Sequence, residues 1–377
     1  MFTSIYDESI KNGNSVKENQ DDKSIWFKNA SFSEDDTHIV ETEYLEGYVA
    51  VFDGHGQKNG KIVSSFVKTY MHNYIVESWD LINSDFHNTI NILFRTVSIE
   101  LRKHLLEIEK SRNHKVREVN VIAPEGKNYN YIEYCNDITL CWTLIGGGTT
   151  ISLQFFLENG ESYHVYLGDS ECVLFEKFTA IQETEVVQPC QKTVKRFTLL
   201  TKNHSPDSLE EYERIQNSRG DNAGLLYYDE CSLTKTQPVI FNNGEKRDPN
   251  RIYASGIKLY HKNVEGDWAT LFCDKKCKSR LAMTRSMGDY YLLHAGLSYE
   301  PTIIKTDLSK TTSLLLASDG LWDNWKKADL MNLYFKLEEQ GKTDKDLFDN
   351  LMENTTKLAK ENFGRSRDDI TAIMIIF

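Results

Sequence analysis

What this chain has little of narrows it first. No stretch approaches the roughly 20 consecutive apolar residues of a membrane-spanning helix. Basic residues are outnumbered: 44 Lys and Arg stand against 56 Asp and Glu, for a formal net charge of -12. That balance argues against a general nucleic-acid footprint, which needs a basic face, and against electrostatic attachment to anionic lipid. Cysteine is sparse and odd in number, 7 in 377 residues. A disulfide framework is therefore not expected, and a reducing compartment is the better reading. Cys273 and Cys277 are the one close pair, and zinc would need two further ligands that no neighbouring spacing offers. The first residues, Met1-Phe2-Thr3-Ser4, show neither a charged-then-apolar leader nor a myristoylation glycine. The expectation is a cytoplasmic protein, with the nucleus as a second compartment. Internal repeats and low-complexity linkers are also lacking, so residues 1–377 read as a single domain.

What is present begins with a core. A hydrophobic fraction of 40% and a charged fraction of 27% suit a soluble globular chain. The stretch Val49-Ala50-Val51-Phe52 is an apolar run that stops at Asp53 and turns through Gly54-His55-Gly56. Such a run bounded by turn residues reads as a core strand, and its glycines let backbone approach a ligand closely. Helical spacing of Ile62, Val63, Phe66, Val67, Tyr70, Met71, Tyr74 and Ile75 predicts a helix over 61–77. A second helix is predicted over 86–110. Residues 111–140 are polar and poorly patterned and read as an insertion or long loop.

Further strands end in the same chemistry. Ile151 to Leu157 and Tyr163 to Leu167 predict a hairpin turning at Glu158-Asn159-Gly160-Glu161, and the return strand ends at Gly168-Asp169-Ser170. Ser205-Pro206 reads as a helix start, with Pro at the first helical position. Residues 217–279 read as an elaborated surface flap or insertion. Arg280 to Asp289 closes on a third Gly-Asp, and Thr312 to Ala317 runs into Ser318-Asp319-Gly320. Helices over 328–339 and 345–363 follow, the second closed by Gly364. Ser366-Arg367-Asp368-Asp369 then precedes a last strand, 370–377, expected to be central. Strands and helices come in runs rather than strict alternation, which predicts an α+β fold, an antiparallel sheet sandwich covered by helices.

Asp21, Asp53, Asp169, Asp289, Asp319 and Asp368 all sit at strand ends beside small or turn residues. Taken singly, an Asp-Gly after a strand is usually a turn, Asp21-Asp22 is usually a solvated one, and a His beside glycine is usually a cap. Taken together, converging carboxylates suit hard cations such as Mg2+ or Mn2+. A pair of such ions can bind phosphoryl oxygens and activate water. His55, two residues after Asp53, is placed to give a proton to a leaving group. No cysteine lies in a phosphate-cradling loop.

The order of these motifs resembles the protein phosphatase 2C family, the metal-dependent Ser/Thr protein phosphatases. Lys17-Glu18-Asn19-Gln20-Asp21 is similar to the family's first motif, and Val51 to Gly56 is its most specific one. Gly147 to Thr150, Gly168 to Ser170, Leu281 to Asp289, Ala317 to Asp323 and Ser366 to Asp369 match later ones. The resemblance implies two antiparallel sheets flanked by helices in α-β-β-α layers, with two Mg2+ or Mn2+ ions at one end. It implies that Asp53 bridges the ions, Gly54 offers its carbonyl, Asp319 and Asp368 ligate, and Asp21 holds water beside them. Asp169 and Asp289 would form a third, weaker metal position, and His55 would be the general acid. The implied reaction is direct hydrolysis of phosphoserine or phosphothreonine in proteins by metal-activated water. A monomer with phosphorylated protein substrates is expected. Where many family members carry an Arg before the first motif, this chain has Val16 and Lys17, so Lys17 would meet phosphate as a point charge without Arg's fork. Glu171 and Asp369 also depart from the family pattern. A regulatory module without turnover is the competing reading, and hydrolysis of a small phosphate ester a third.

Overall fold

The computed structural model describes residues 2–11, 19–28, 37–41, 45–56, 58–122, 128–135, 141–184, 187–230, 238–275 and 279–377. Its framework follows from period-two patterning. In the strand Gly47–Phe52, Val49 and Val51 face one way and Ala50 and Phe52 the other, yet all four are buried. The strands Thr311–Ala317 and Ile370–Ile376 do the same: Leu314, Leu316, Ile373 and Ile375 share one face, and Leu315, Ala317, Ala372 and Met374 the other. A strand apolar on both faces must be covered on both. Here the inner faces meet, and helices cover the outer ones.

Two antiparallel sheets result. One has the order Val187–Leu199, Glu171–Thr184, Thr311–Ala317, Ile370–Ile376, Phe2–Ile10, Thr37–Glu41. The other has the order Asp22–Phe27, Gly47–Phe52, Ile151–Phe156, Ser162–Leu167, Thr302–Thr306. The helices Gly60–Glu77 and Phe86–Ser111 lay Val63, Val67, Met71, Ile90, Leu93 and Val97 on the five-stranded sheet. The helices Lys327–Glu339 and Asp344–Phe363 lay Leu330, Tyr334, Leu347 and Leu351 on the other. At about 1.5–3 kcal/mol for each fully buried aliphatic side chain, these layers dominate the stability of the fold. The predicted α+β sandwich is thus found, with the last strand inside its sheet.

Three expectations need correction. The stretch 111–140 is not a plain long loop: Lys115–Ile122, Asn128–Cys135 and Trp142–Leu144 form an antiparallel sheet. Alternation there is carried by Tyr and Val among polar residues, which hides it in an apolar count. The helix expected at Ser205-Pro206 begins at Leu209, capped by Ser208, whose hydroxyl accepts from the Glu211 amide. The flap 217–279 holds more than surface. The strands Leu225–Tyr228 and Thr270–Cys273 and the helix Pro249–Ala254 enclose a core of their own with Leu226, Tyr228, Ile252 and Phe272. Cys273 is buried there, and Cys277 lies outside the described residues. Among the described residues no helix is long and apolar enough to cross a membrane.

Candidate active site

Register gathers the acidic residues at one end of the sandwich. Asp22 pairs with Phe52, so Asp21, just before one strand, lies beside Asp53, just after the antiparallel neighbour. Ser152 pairs with Val51 and Ile151 with Leu167, which brings Gly168-Asp169 to the same end. In the other sheet Ala317 pairs with Ala372 and with Glu171, so Asp319, Asp368 and Asp169 leave their strands together. A cleft of about 810 Å³ opens there, lined by Asp53, Gly54, His55, Asp169, Asp289, Asp319, Asp323 and Asp368. Asp21 is buried but is not among the lining residues. Lys17 and Glu18 fall outside the described residues.

Threonines fix the Asp53 turn. The Asp53 carbonyl accepts from the Thr150 amide at 2.8 Å and from the Thr149 hydroxyl at 3.0 Å. The Thr150 hydroxyl also bonds the Ser170 hydroxyl at 2.6 Å, tying the Asp53 and Asp169 turns together. This is the local meaning of Gly147 to Thr150. Gly148 has a separate duty: a Cβ there would run into the Asp289 carboxylate and come within 2.6 Å of His55 Nε2.

Among the described residues the inner carboxylates face each other. Burial, and then the charges of Asp319, Asp21, Asp368 and Asp169, push the Asp53 carboxyl well above its usual range. Burial lifts Asp21 to about 8, against a Ser318 hydrogen bond and with Asp368, Asp369 and Asp319 adding to the rise. Burial and the charges of Asp169 and Asp368 lift Asp319 to about 7, and its side chain is hydrogen-bonded to Asp53. A bond between two carboxyl groups requires a proton on one of them. Asp21 Oδ2 is buried with no partner among the described residues. The neighbouring Asp22 behaves differently: Lys61 and Lys68 hold its carboxylate at 2.8 and 2.7 Å, and Ser65 donates at 2.6 Å. The Asp21-Asp22 pair is therefore no solvated turn. One member faces the site and the other is clamped to a helix.

The outer residues have cationic partners. His55 Nε2 lies 2.6 Å from Asp289 Oδ2. Asp289 also accepts from Ser286 Oγ at 2.9 Å, Tyr291 OH at 3.2 Å and the Gly147 amide at 3.3 Å. Burial works against protonating His55, but the Asp289 carboxylate outweighs it and holds the imidazole pKa above its ordinary value. His55 Nδ1 has no partner among the described residues. Asp169 Oδ2 accepts from Lys262 Nζ at 2.7 Å. Asp169 and Asp289, grouped as one cation position by the resemblance, are therefore each bound to a different basic side chain. Among the described residues no group of three His, Cys, Asp or Glu side chains stands ready to hold a metal ion.

Sequence reasoning missed Asp323, Lys262 and His204. Asp323 lies four residues past Asp319, one turn along the same short helical segment, and that spacing could have found it. His204 accepts from the Gly168 amide at Nδ1, 3.0 Å, and bonds Thr302 Oγ1 through Nε2, 2.9 Å, which braces the Asp169 turn. Lys262 carries no local signal at all.

Comparison with known proteins first identifies the fold. A C. elegans sex determining protein superposes with a TM-score of 0.55 at 15% identity, covering 99% of this chain and 64% of that one. A bacterial serine phosphatase superposes at 0.50 with 15% identity, covering 99% and 96%. A family similarity comes from sequence. The model of the protein phosphatase 2C family matches residues 245–362. A rice (Oryza sativa subsp. japonica) protein described as probable protein phosphatase 2C 73 is 26% identical over 166 residues, 42% of this chain and 38% of that protein. The resemblance to protein phosphatase 2C read from the motifs is thus borne out, although the chain spans well under half of the rice relative.

Proposed function

We propose that this chain is a metal-dependent Ser/Thr protein phosphatase acting on phosphoserine and phosphothreonine, with two Mg2+ or Mn2+ ions in the cleft. The observation that carries the reading is the crowding of Asp21, Asp53, Asp319 and Asp368 at one end of the sandwich. Burial and then neighbouring carboxylates raise the pKa of Asp21, Asp53 and Asp319, which marks a site short of positive charge. A small hard cation needs only one or two carboxylates besides water, so no ready three-ligand cage is required. The unpartnered Asp21 Oδ2 is a further acceptor that fits such a centre.

In this reading Asp53, the Gly54 carbonyl, Asp319 and Asp368 would hold the ions, and Asp21 would hold water beside them. The ions would supply charge for the phosphoryl oxygens and lower the pKa of water. The chain itself supplies the proton. His55, kept protonated by Asp289, gives it from Nδ1 to the departing seryl or threonyl oxygen. Ser286, Tyr291 and the Gly147 amide hold Asp289, and through it the ring.

Hydrolysis of a phosphothreonine peptide with Mn2+, then with EDTA, then with excess Mn2+, tests this. Turnover should appear, vanish and return. Turnover that survives EDTA would overturn the metal mechanism. No turnover on any phosphopeptide with either ion would favour the regulatory-module reading.

A further inference from the structure

Lys262 is a lysine whose ammonium is led into an acidic cleft by a segment built to hold it there. Residues 261–268 form a tight turn. His261 and Trp268 pair as an isolated bridge, and their rings stack with centroids 4.0 Å apart. The Lys262 amide donates to the Asp267 carbonyl at 2.7 Å, and the amides of Glu265 and Asp267 both donate to Asn263 Oδ1 at 3.1 Å. The turn is also docked. Val264 donates its amide to the Asp323 carbonyl at 3.1 Å, and Glu265 Oε1 accepts from the Lys327 amide at 2.8 Å, at the start of the helix Lys327–Glu339.

The result is the ion pair of Lys262 Nζ with Asp169 Oδ2 at 2.7 Å. Lys262 also borders a smaller cavity of about 220 Å³ together with Asp169, Asp319 and Asp323. Burying an unpaired ammonium costs several kcal/mol. The Asp169 carboxylate, paired with it at 2.7 Å, offsets that cost, and Asp319 and Asp323 line the same cavity. A divalent ion at these carboxylates would have to displace the ammonium from its 2.7 Å pair with Asp169.

We infer that Lys262 is the chain's own cation at Asp169, Asp319 and Asp323, and that it closes this corner of the cleft to a third divalent ion. The inference rests on the two-ion centre proposed above. Lys262 acts as a positioning residue: it sets the ion count and ties the 261–268 turn to the acidic wall.

Mn2+ bound per chain, counted by equilibrium dialysis and atomic absorption, tests it. The unaltered protein and Lys262→Arg should hold two ions and Lys262→Met three. Three ions in the unaltered protein, or two in folded Lys262→Met, would overturn the inference and leave the two-metal reading standing. No bound Mn2+ in any of them would overturn that reading as well. A second measurement needs no variant. Lys262 should resist acetylation by acetic anhydride, read by peptide mass spectrometry, equally with and without saturating Mn2+. Acetylation of Lys262 that rises at least several-fold with Mn2+ would mean that the metal displaces it, which overturns the inference.

Discussion

Two sets of carboxylates at and behind the cleft are treated in opposite ways. In one set Asp169, Asp289 and, behind the cleft, Glu211 each meet a cation of the chain: Lys262, His55, and the pair Arg214 and Arg285. On the framework wall Asp21, Asp53, Asp319 and the exposed Asp368 crowd one another, and Asp319 also feels Lys262. The ionisation follows. Burial acts to raise Glu211, yet the two arginines hold it down at about 2. On the framework wall burial and mutual repulsion lift Asp319 to about 7. An internal cation discharges a carboxylate permanently and fixes its geometry. Carboxylates without one remain open to an exchangeable cation, which is what the proposed chemistry needs.

The contrast breaks most visibly at Glu211. Its Oε1 is 2.6 Å from Arg285 and its Oε2 is 2.7 Å from both Arg214 and the Thr284 hydroxyl. These bonds clamp the helix Leu209–Arg219 against the segment leading to Asp289. Glu211→Gln leaves two largely buried guanidiniums without their counter-charge, so unfolding in urea should show a loss of about 3–5 kcal/mol. A loss below about 1 kcal/mol would mean that the clamp is not structural. Asp319→Asn should do the reverse. In EDTA, removing one of several repelling buried carboxylates should leave the fold unharmed or stabilise it by about 1–2 kcal/mol. In Mn2+, phosphopeptide turnover should fall at least about a hundredfold. Destabilisation in EDTA would show that the framework wall is not electrostatically frustrated.

The same asymmetry governs what the sequence could reveal. Asp53 and Asp319 were legible because each ends an apolar run whose alternation announces a strand, and an acid at such a point is conspicuous. They end strands of different sheets, and the face-to-face packing of the two sheets brings them to one end. Asp169, Asp289 and His55 were also named from sequence, but their pairings and Lys262 were not legible, because the partners are far apart in the chain. His55 and Asp289 are separated by 234 residues, and Lys262 and Asp169 by 93. The 111–140 sheet was missed for a related reason, since its strands alternate Tyr and Val with charged residues and its core is thin. Asp21 and Asp22 are adjacent, and only the register with Phe52 decides which one turns into the site.

The smallest effect concerns the brace behind Asp169. His204 is buried, and burial, with Arg285 adding to it, depresses its pKa to about 3. Its Nδ1 accepts from the Gly168 amide, so the neutral ring carries its proton on Nε2 and donates to Thr302. The sign follows from linkage. The unfolded imidazole titrates near 6.5 and the folded one near 3, so in between the unfolded state binds the extra proton. The stabilising contribution is complete above pH 6.5 and is lost as pH falls below it, by up to about 1.4 kcal/mol per unit. His164, also held near 3 by burial, adds in the same sense. Urea midpoints in EDTA should therefore decline between pH 6.5 and 5.5. In His204→Gln, with the rest of the chain intact, that decline should be shallower by about 1 kcal/mol over the interval. An unchanged slope would mean that His204 is already protonated in the fold and donates where the structure has it accepting. The Asp169 turn would then rest on its tie to Thr150 and Ser170, the His204 amide on the Gly168 carbonyl, and Lys262.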